Sequence, residues 1–201
     1  MECIVNVTPD WGIGRHGELL VAISADLKRF RQLTQGKTVI LGRKTLATFP
    51  GGRPLKNRRN LILSHDPAFQ VEGAEVVHSL PELLQAIQKV PEEQLCVIGG
   101  AAVYEMLLPY CTTAQVTKSY VTLKADTFFP DLDADSCWSL AEKGEIEEEN
   151  GIRFQYLKYV NQSPKRWRSF QQPACTASPQ RLEGKEKNDE TDGPGGKYSL
   201  R

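Results

Sequence analysis

The strongest constraint on this chain is the alternation of short apolar runs with helical patterns over its first two thirds. Residues 4–7, 38–41, 61–63, 75–77 and 95–98 are apolar runs of strand length. Helical patterns lie between them at residues 23–33, from Lys44, at 79–88 and at 101–108. Strands separated by helices of this length predict an α/β fold with a mostly parallel sheet and flanking helices. After Thr113 the pattern changes to longer strand-like segments at 114–123, 138–142 and 152–160. The last alternates through Ile152, Phe154 and Tyr156, and Asn150-Gly151 just ahead of it is a hairpin turn signal. The sheet is therefore expected to close with an antiparallel C-terminal edge.

With 201 residues, 40% of them hydrophobic, the chain can bury one sizeable core. Beyond Gln162 the composition turns to Ser, Pro, Gly, Gln and charge with few aliphatic side chains. The expected organisation is one domain over 1–162 and a polar, disordered tail over 163–201. Residues 1–162 hold 17 Lys and Arg against 20 Asp and Glu, and the tail holds 8 against 5, so the body is slightly acidic. That body lacks the basic stripe a nucleic-acid binder needs. The basic-aromatic patch Lys165-Arg166-Trp167-Arg168-Ser169-Phe170 reads as part of a solvated tail. The 5 cysteines show no C-x-x-C spacing and are odd in number, against both a zinc site and a disulfide framework. No segment reads as a signal peptide or membrane span. A soluble, cytoplasmic protein is expected.

Asp26 stands out within the 23–33 pattern, where Ser24 is a candidate N-cap and Gly36 a candidate terminator. The apolar stripe runs through Ile23, Leu27, Phe30 and Leu33, and Asp26 lies four residues before Phe30 and seven before Leu33. Its carboxylate is thus directed with the apolar side chains, which is costly unless it is paired or used. The alternative is an acid in a first helical turn, favoured by the helix dipole.

Two strand-to-helix junctions carry glycine: Val39-Ile40-Leu41-Gly42-Arg43-Lys44-Thr45 and Val97-Ile98-Gly99-Gly100-Ala101-Ala102-Val103-Tyr104. A strand that delivers backbone N–H groups to a helix start, with glycine allowing close approach, suits a phosphate. Together the two suggest a dinucleotide, and Arg43, Lys44, Ser64 and His65 could serve an additional phosphate, as in NADPH. A basic Gly/Pro loop, residues 49–60, holds Arg53, Lys56, Arg58 and Arg59 before a strand, where an arginine can clamp a carboxylate. The glycines of residues 11–20 suit a mobile lid or a plain connector.

These motifs stand together in the order and spacing of a known family. Gly12-Ile13-Gly14, Ala25-Asp26-Leu27 through Phe30, Gly42-Arg43-Lys44-Thr45, Arg53-Pro54-Leu55 through Arg58-Arg59-Asn60, Ile98-Gly99-Gly100 through Val103-Tyr104, Thr117 and Asp126-Thr127-Phe128-Phe129-Pro130 make residues 1–162 resemble dihydrofolate reductase. The resemblance implies a single domain of that fold and NADPH-dependent reduction of dihydrofolate, with antifolates as possible inhibitors and a monomeric state. It implies catalytic roles for Asp26, on the pterin N3 and amino group, and for Thr117, its partner. It implies a substrate site of Ile4, Val5, Leu27, Phe30, Phe49, Leu55, Arg58 and Ile98, with Arg58 on the glutamate α-carboxylate. The cofactor site would comprise Ile13, Leu19, Gly42, Arg43, Lys44, Thr45, Ser64, His65, Gly99, Gly100, Ala101, Val103 and Tyr104, with residues 12–20 as lid. The family commonly has Pro-Trp ahead of the acidic helix, where this chain has Leu20-Val21.

Overall fold

The structure is a computed structural model that describes residues 1–168. In chain order the strands are β1 (Glu2–Val7), β2 (Gly12–Arg15), β3 (Glu18–Leu19), β4 (Thr38–Gly42), β5 (Arg59–Leu63), β6 (Glu75–Val77), β7 (Leu95–Gly99), β8 (Thr113–Ser119), β9 (Thr127–Phe128), β10 (Trp138–Glu149) and β11 (Ile152–Asn161). The helices are α1 (Ser24–Thr34), α2 (Arg43–Ala47), α3 (Leu80–Ile87) and α4 (Ala101–Leu107). Eight strands form one sheet in the order β10-β11-β8-β1-β7-β4-β5-β6. The pairings from β8 across to β6 are all parallel, and β11 and β10 add an antiparallel edge. The α/β expectation and its antiparallel edge therefore hold.

Period-two alternation divides the sheet into two faces. Cys3, Val5 and Val7 of β1 point to the side covered by α3 and α4, packing with Ile40, Leu61, Val97, Leu83, Ile87 and Leu107. Ile4 points the other way, with Val39, Leu41, Ile62, Cys96 and Ile98, toward Phe30 and Leu33 of α1 and Leu46 of α2. Asn6 is two residues from Ile4 and so belongs to the α1 face. The same alternation on β8 puts Ala114 and Val116 in the α4-side core and turns Gln115, Thr117 and Ser119 toward α1.

Several local expectations are corrected. The N-cap of α1 is Ile23, which has no side-chain acceptor, and Ser24 is the first helical residue. Gly36, one residue past the C-cap Gln35 and at φ of 77°, does terminate the helix as expected. The α1 stripe is also not uniformly buried: Phe30 and Leu33 are partly buried, but Leu27 is 51% exposed and joins no core cluster. The strand expected over 114–123 stops at Ser119, and the one expected over 138–142 runs on to Glu149. The last strand reaches Asn161, and Asn150 and Gly151, at φ of 54° and 78°, make its hairpin turn.

The glycine-rich stretch 11–20 forms the tight hairpin β2–β3, which β9 extends into a three-stranded sheet. At its root Trp11 is buried against Phe129, and Phe129 N–H donates to Trp11 O at 2.8 Å. The basic-aromatic patch is in part packed rather than solvated. Trp167 is 3% exposed within the main core, Lys165 N–H donates to Pro109 O, and Arg168 reaches Val90 O and Glu92. Residues 169–201, with the rest of the expected tail, lie outside the described residues.

Candidate active site

The α1 face of the sheet carries a chain of polar side chains in an otherwise apolar setting. Asn6 pairs across from Thr117, and Thr117 from Tyr156, so three adjacent strands present these side chains in one row beneath α1. Asp26 descends from α1 into this row. Its Oδ1 accepts from Thr117 Oγ1 at 2.5 Å and its Oδ2 from Asn6 Nδ2 at 3.0 Å. Ser119, fully buried, donates to Asn6 Oδ1 at 2.8 Å. Asp26 is half-buried, held from the sheet side by Thr117 and Asn6. One turn along α1, Arg29 lies 4.4 Å from the centre of the Tyr156 ring and donates to Gln115 Oε1 at 2.9 Å. Burial lowers the Arg29 pKa, a shift opposed by Tyr156 and by Asp26.

Helix α1 is held at its start from a distant part of the chain. Glu149 at the end of β10 accepts from Ser24 N–H at 2.8 Å and Ala25 N–H at 2.9 Å, supplying the acceptor that Ile23 lacks. These bonds, that from Ala25 first, hold the Glu149 pKa below its ordinary value. A depressed carboxylate pKa contributes stability that is complete above the ordinary value and lost as pH falls through the folded-state value. Glu149→Gln is therefore expected to lower the melting temperature at pH 7. The difference from the wild type should shrink as pH falls below the ordinary carboxylate value, where the unfolded chain takes up the proton first, and vanish below the lower folded-state value. Thermal melts at pH 7 and pH 3 measure both.

Arg58 sits at the far end of α1, beside Thr34. Its Nη1 donates to the buried Thr34 Oγ1 at 2.8 Å and its Nε to Lys56 O at 3.1 Å, which commits two of five donors and fixes the fork. Partial burial, and then the nearby Arg31, lowers its pKa. The loop before it is organised by Asn60, 2% exposed, which accepts from Leu55 N–H and donates to the carbonyls of Leu55 and Arg58. Phe49 and Leu55 are half-buried beside Ile4 and Ile98 in the α1-side cluster. Val5 alternates to the opposite face.

The two glycine junctions lie against each other. A Cβ on Gly42 would come 3.3 Å from Val103 Cγ2, and one on Gly100 would come 3.0 Å from Thr45 Oγ1. Gly99 has φ of 117°, where side chains are strained, and its Cβ would meet the Tyr104 ring at 3.2 Å. The Gly99–Gly100 peptide is cis. Tyr104 is buried, its pKa raised by burial, and donates to Ile4 O at 2.6 Å, linking this junction to the α1 face of the sheet. This is the close backbone approach and paired helix starts that a dinucleotide with several phosphates requires. Arg43 is exposed beyond Gly42 and pairs with Asp66 at 2.9 Å. Ser64 is buried, with Oγ accepting from Asp66 N–H, while Lys44 and His65 are exposed. On the hairpin Ile13 is 9% exposed and Leu19 52% exposed.

Three participants escaped the sequence reading. Asn6 and Ser119 sit in runs of strand length and carry no motif, although an amide within the apolar run 4–7 is the same kind of anomaly as Asp26 on an apolar stripe. Glu149 had no local signal, because its partners are more than a hundred residues away.

Comparison with known proteins places this geometry. The family model described as dihydrofolate reductase matches residues 1–161. The chain is 37% identical over 149 residues to a Bacillus subtilis dihydrofolate reductase, covering 73% of this chain and 86% of that one. It is 38% identical over 152 residues to the Mycobacterium tuberculosis enzyme, covering 73% and 89%. Among solved structures, dihydrofolate reductase from Enterococcus faecalis, complexed with NADP(H) and RAB-propyl, superposes with a TM-score of 0.71 at 34% identity. That match covers 80% of this chain and 95% of the other. With its sheet order, its paired glycine junctions and its family match over residues 1–161, the chain belongs to the dihydrofolate reductase family.

Proposed function

We propose that Asp26 binds the substrate's pterin ring and biases it toward reduction. The observation that carries this is its half-buried carboxylate, held at both oxygens by Thr117 and Asn6. The reaction is the NADPH-dependent reduction of 7,8-dihydrofolate to 5,6,7,8-tetrahydrofolate. When bound, NADPH supplies a hydride to pterin C6, and N5 gains a proton.

A carboxylate offers about four acceptor sites, of which Thr117 and Asn6 use one on each oxygen. The second site on each oxygen remains for the pterin's N3–H and amino group. Negative charge held there, half out of water, favours the protonated ring that accepts hydride. Asp26 faces N3 rather than N5, so the N5 proton comes from water admitted past the β2–β3 hairpin, which acts as the lid.

Around the acid, the carbonyls of Ile4 and Ile98 flank the ring, while Val5, whose side chain faces the other side of the sheet, can reach it only through its backbone. Leu27, Phe30, Phe49 and Leu55 make the apolar walls, and Arg58 grips the glutamate α-carboxylate. Gly42, Lys44, Thr45, Gly99, Gly100, Ala101, Val103 and Tyr104 hold the cofactor at the two junctions. Ile13 and Leu19 meet it from the hairpin, and Arg43, Ser64 and His65 serve the 2′-phosphate, with Asp66 as the pairing partner that Arg43 exchanges for it. The same reading has the protein working as a cytoplasmic monomer and binding antifolates in the pterin pocket. Among the described residues no helix is long and apolar enough to cross a membrane.

The test is NADPH oxidation measured with dihydrofolate and with pterins that lack the glutamate tail. Activity is expected with dihydrofolate and to be weak without the tail. Equal activity with both would indicate a broader pterin reductase, and binding without oxidation a carrier. Within this reading Arg58→Lys replaces a fixed two-pronged donor by a point charge. It is expected to raise KM for dihydrofolate by roughly 10- to 100-fold with little change in kcat, as loss of uniform binding does. Unchanged KM would remove Arg58 from the site.

A further inference from the structure

The structure assigns Asn6 as the residue that positions the Asp26 carboxylate, with Ser119 fixing Asn6 in turn; we propose that this relay sets how strongly the pterin is bound and polarised. The inference rests on the reading of Asp26 as the pterin acid and adds two residues from different strands to it.

The argument is one of donors and acceptors. Asn6 lies 3.0 Å from Asp26 Oδ2 through its Nδ2, and 2.8 Å from the Ser119 hydroxyl through its Oδ1. An Asn side chain can be turned end for end with little change in shape. Turned here, its Oδ1 would face a carboxylate oxygen, acceptor against acceptor. The Ser119 hydroxyl could accept from the turned amide and so does not forbid that state by itself. As a donor, however, it satisfies Oδ1 in the observed orientation and leaves the amide hydrogens for Asp26. Ser119 is 0% exposed, so water does not reach its hydroxyl, which has Asn6 as its partner.

Strand geometry makes the relay specific. Ser119 lies two residues from Thr117 on the same face of β8, and Thr117 pairs with Asn6. One short strand thus supports both oxygens of Asp26, Oδ1 directly through Thr117 and Oδ2 through Asn6. A carboxylate tethered at one oxygen swings about that contact; tethered at both, it keeps its remaining acceptor sites in one orientation. The other ionisable groups around Asp26 are Arg29 on α1, Tyr156 on β11 and Tyr104 on α4, and all three are retained in the variants below.

Four variants, Asn6→Ala, Ser119→Ala, the double variant and Asn6→Asp, test the assignment, with melting temperatures to confirm folding. Asn6→Ala is expected to lower kcat/KM for dihydrofolate about tenfold, the lower end for a hydrogen bond to a charged group, and to leave KM for NADPH unchanged. Ser119→Ala should cost about threefold alone and nothing further in the Asn6→Ala background, because Ser119 acts only through Asn6. Asn6→Asp sets a second carboxylate against the first, and two such groups resist joint ionisation. The acid limb of its kcat/KM profile should therefore move to higher pH.

Asn6→Ala within twofold of wild type, a Ser119→Ala effect that adds in full to that of Asn6→Ala, or an unmoved acid limb in Asn6→Asp would each overturn the proposal. Should Asn6→Ala fail to fold, Ser119→Ala and the Asn6→Asp profile decide it. Asp26→Asn run in parallel separates the two levels. If it too keeps full activity, the assignment of Asp26 has failed; if it is crippled while the Asn6 variants are not, only the relay has.

Discussion

Asp26→Asn is expected to slow hydride transfer at pH 7 by about two to three orders of magnitude. The substitution keeps size and shape but offers one acceptor end and one donor end. With Asn6 in its observed orientation, its Nδ2 at 3.0 Å can only donate, so the introduced carbonyl faces it and the introduced NH2 faces Thr117. The Thr117 hydroxyl can rotate to accept, and the fold should therefore survive. The pterin then presents two donors to a side chain with one acceptor, and the charge that favours a protonated ring is gone. Stopped-flow measurement at neutral and alkaline pH reads the step directly. A rate equal to wild type at both would mean that Asp26 has no electrostatic role.

Gly99→Ala is expected to damage stability and cofactor binding together. At φ of 117° a side chain costs about 1–3 kcal/mol. The new methyl would also lie 3.2 Å from the Tyr104 ring. That ring cannot give way easily: it packs edge-on to Phe129, centres 4.8 Å apart, and donates to Ile4 O. Overpacking of this kind adds roughly 1–3 kcal/mol. At about 2–4 °C per kcal/mol for a domain this size, the melting temperature should fall by roughly 5–20 °C, with a raised KM for NADPH. Gly36→Ala is the matched control, since Gly36 has φ of 77° but nothing within 4 Å of its Cβ. It should cost only about 1 kcal/mol or a little more. Equal melting temperatures for the two variants would show that the Gly99 junction tolerates a side chain.

How far the sequence could be read follows from what each feature depends on. The parallel sheet was legible because the apolar runs and helical patterns are local and repeated, and the antiparallel edge because Asn150-Gly151 carries its own turn chemistry. Asp26 was legible as a charge out of phase with its surroundings, but its half-buried state was not. Whether the Leu27 side of α1 is covered depends on what packs there, and Leu27 joins none of the three core clusters among the described residues. The cap of α1 was misread for a related reason: Ser24 has the right chemistry for an N-cap, yet the acceptor comes from Glu149 through tertiary contact. The β2–β3–β9 sheet passed unnoticed because strands of two to four residues have too little periodicity to register. Trp167 shows the limit of composition, since one indole with a place in the core orders a segment that is otherwise polar.

The most direct test of the account is to mix the purified protein with dihydrofolate and NADPH carrying deuterium at the transferred C4 position, and to analyse the product. The account predicts tetrahydrofolate with one deuterium at C6 for each NADPH oxidised, and no oxidation without dihydrofolate. NADPH oxidation that leaves dihydrofolate unlabelled, or tight binding of both with no oxidation, would contradict it.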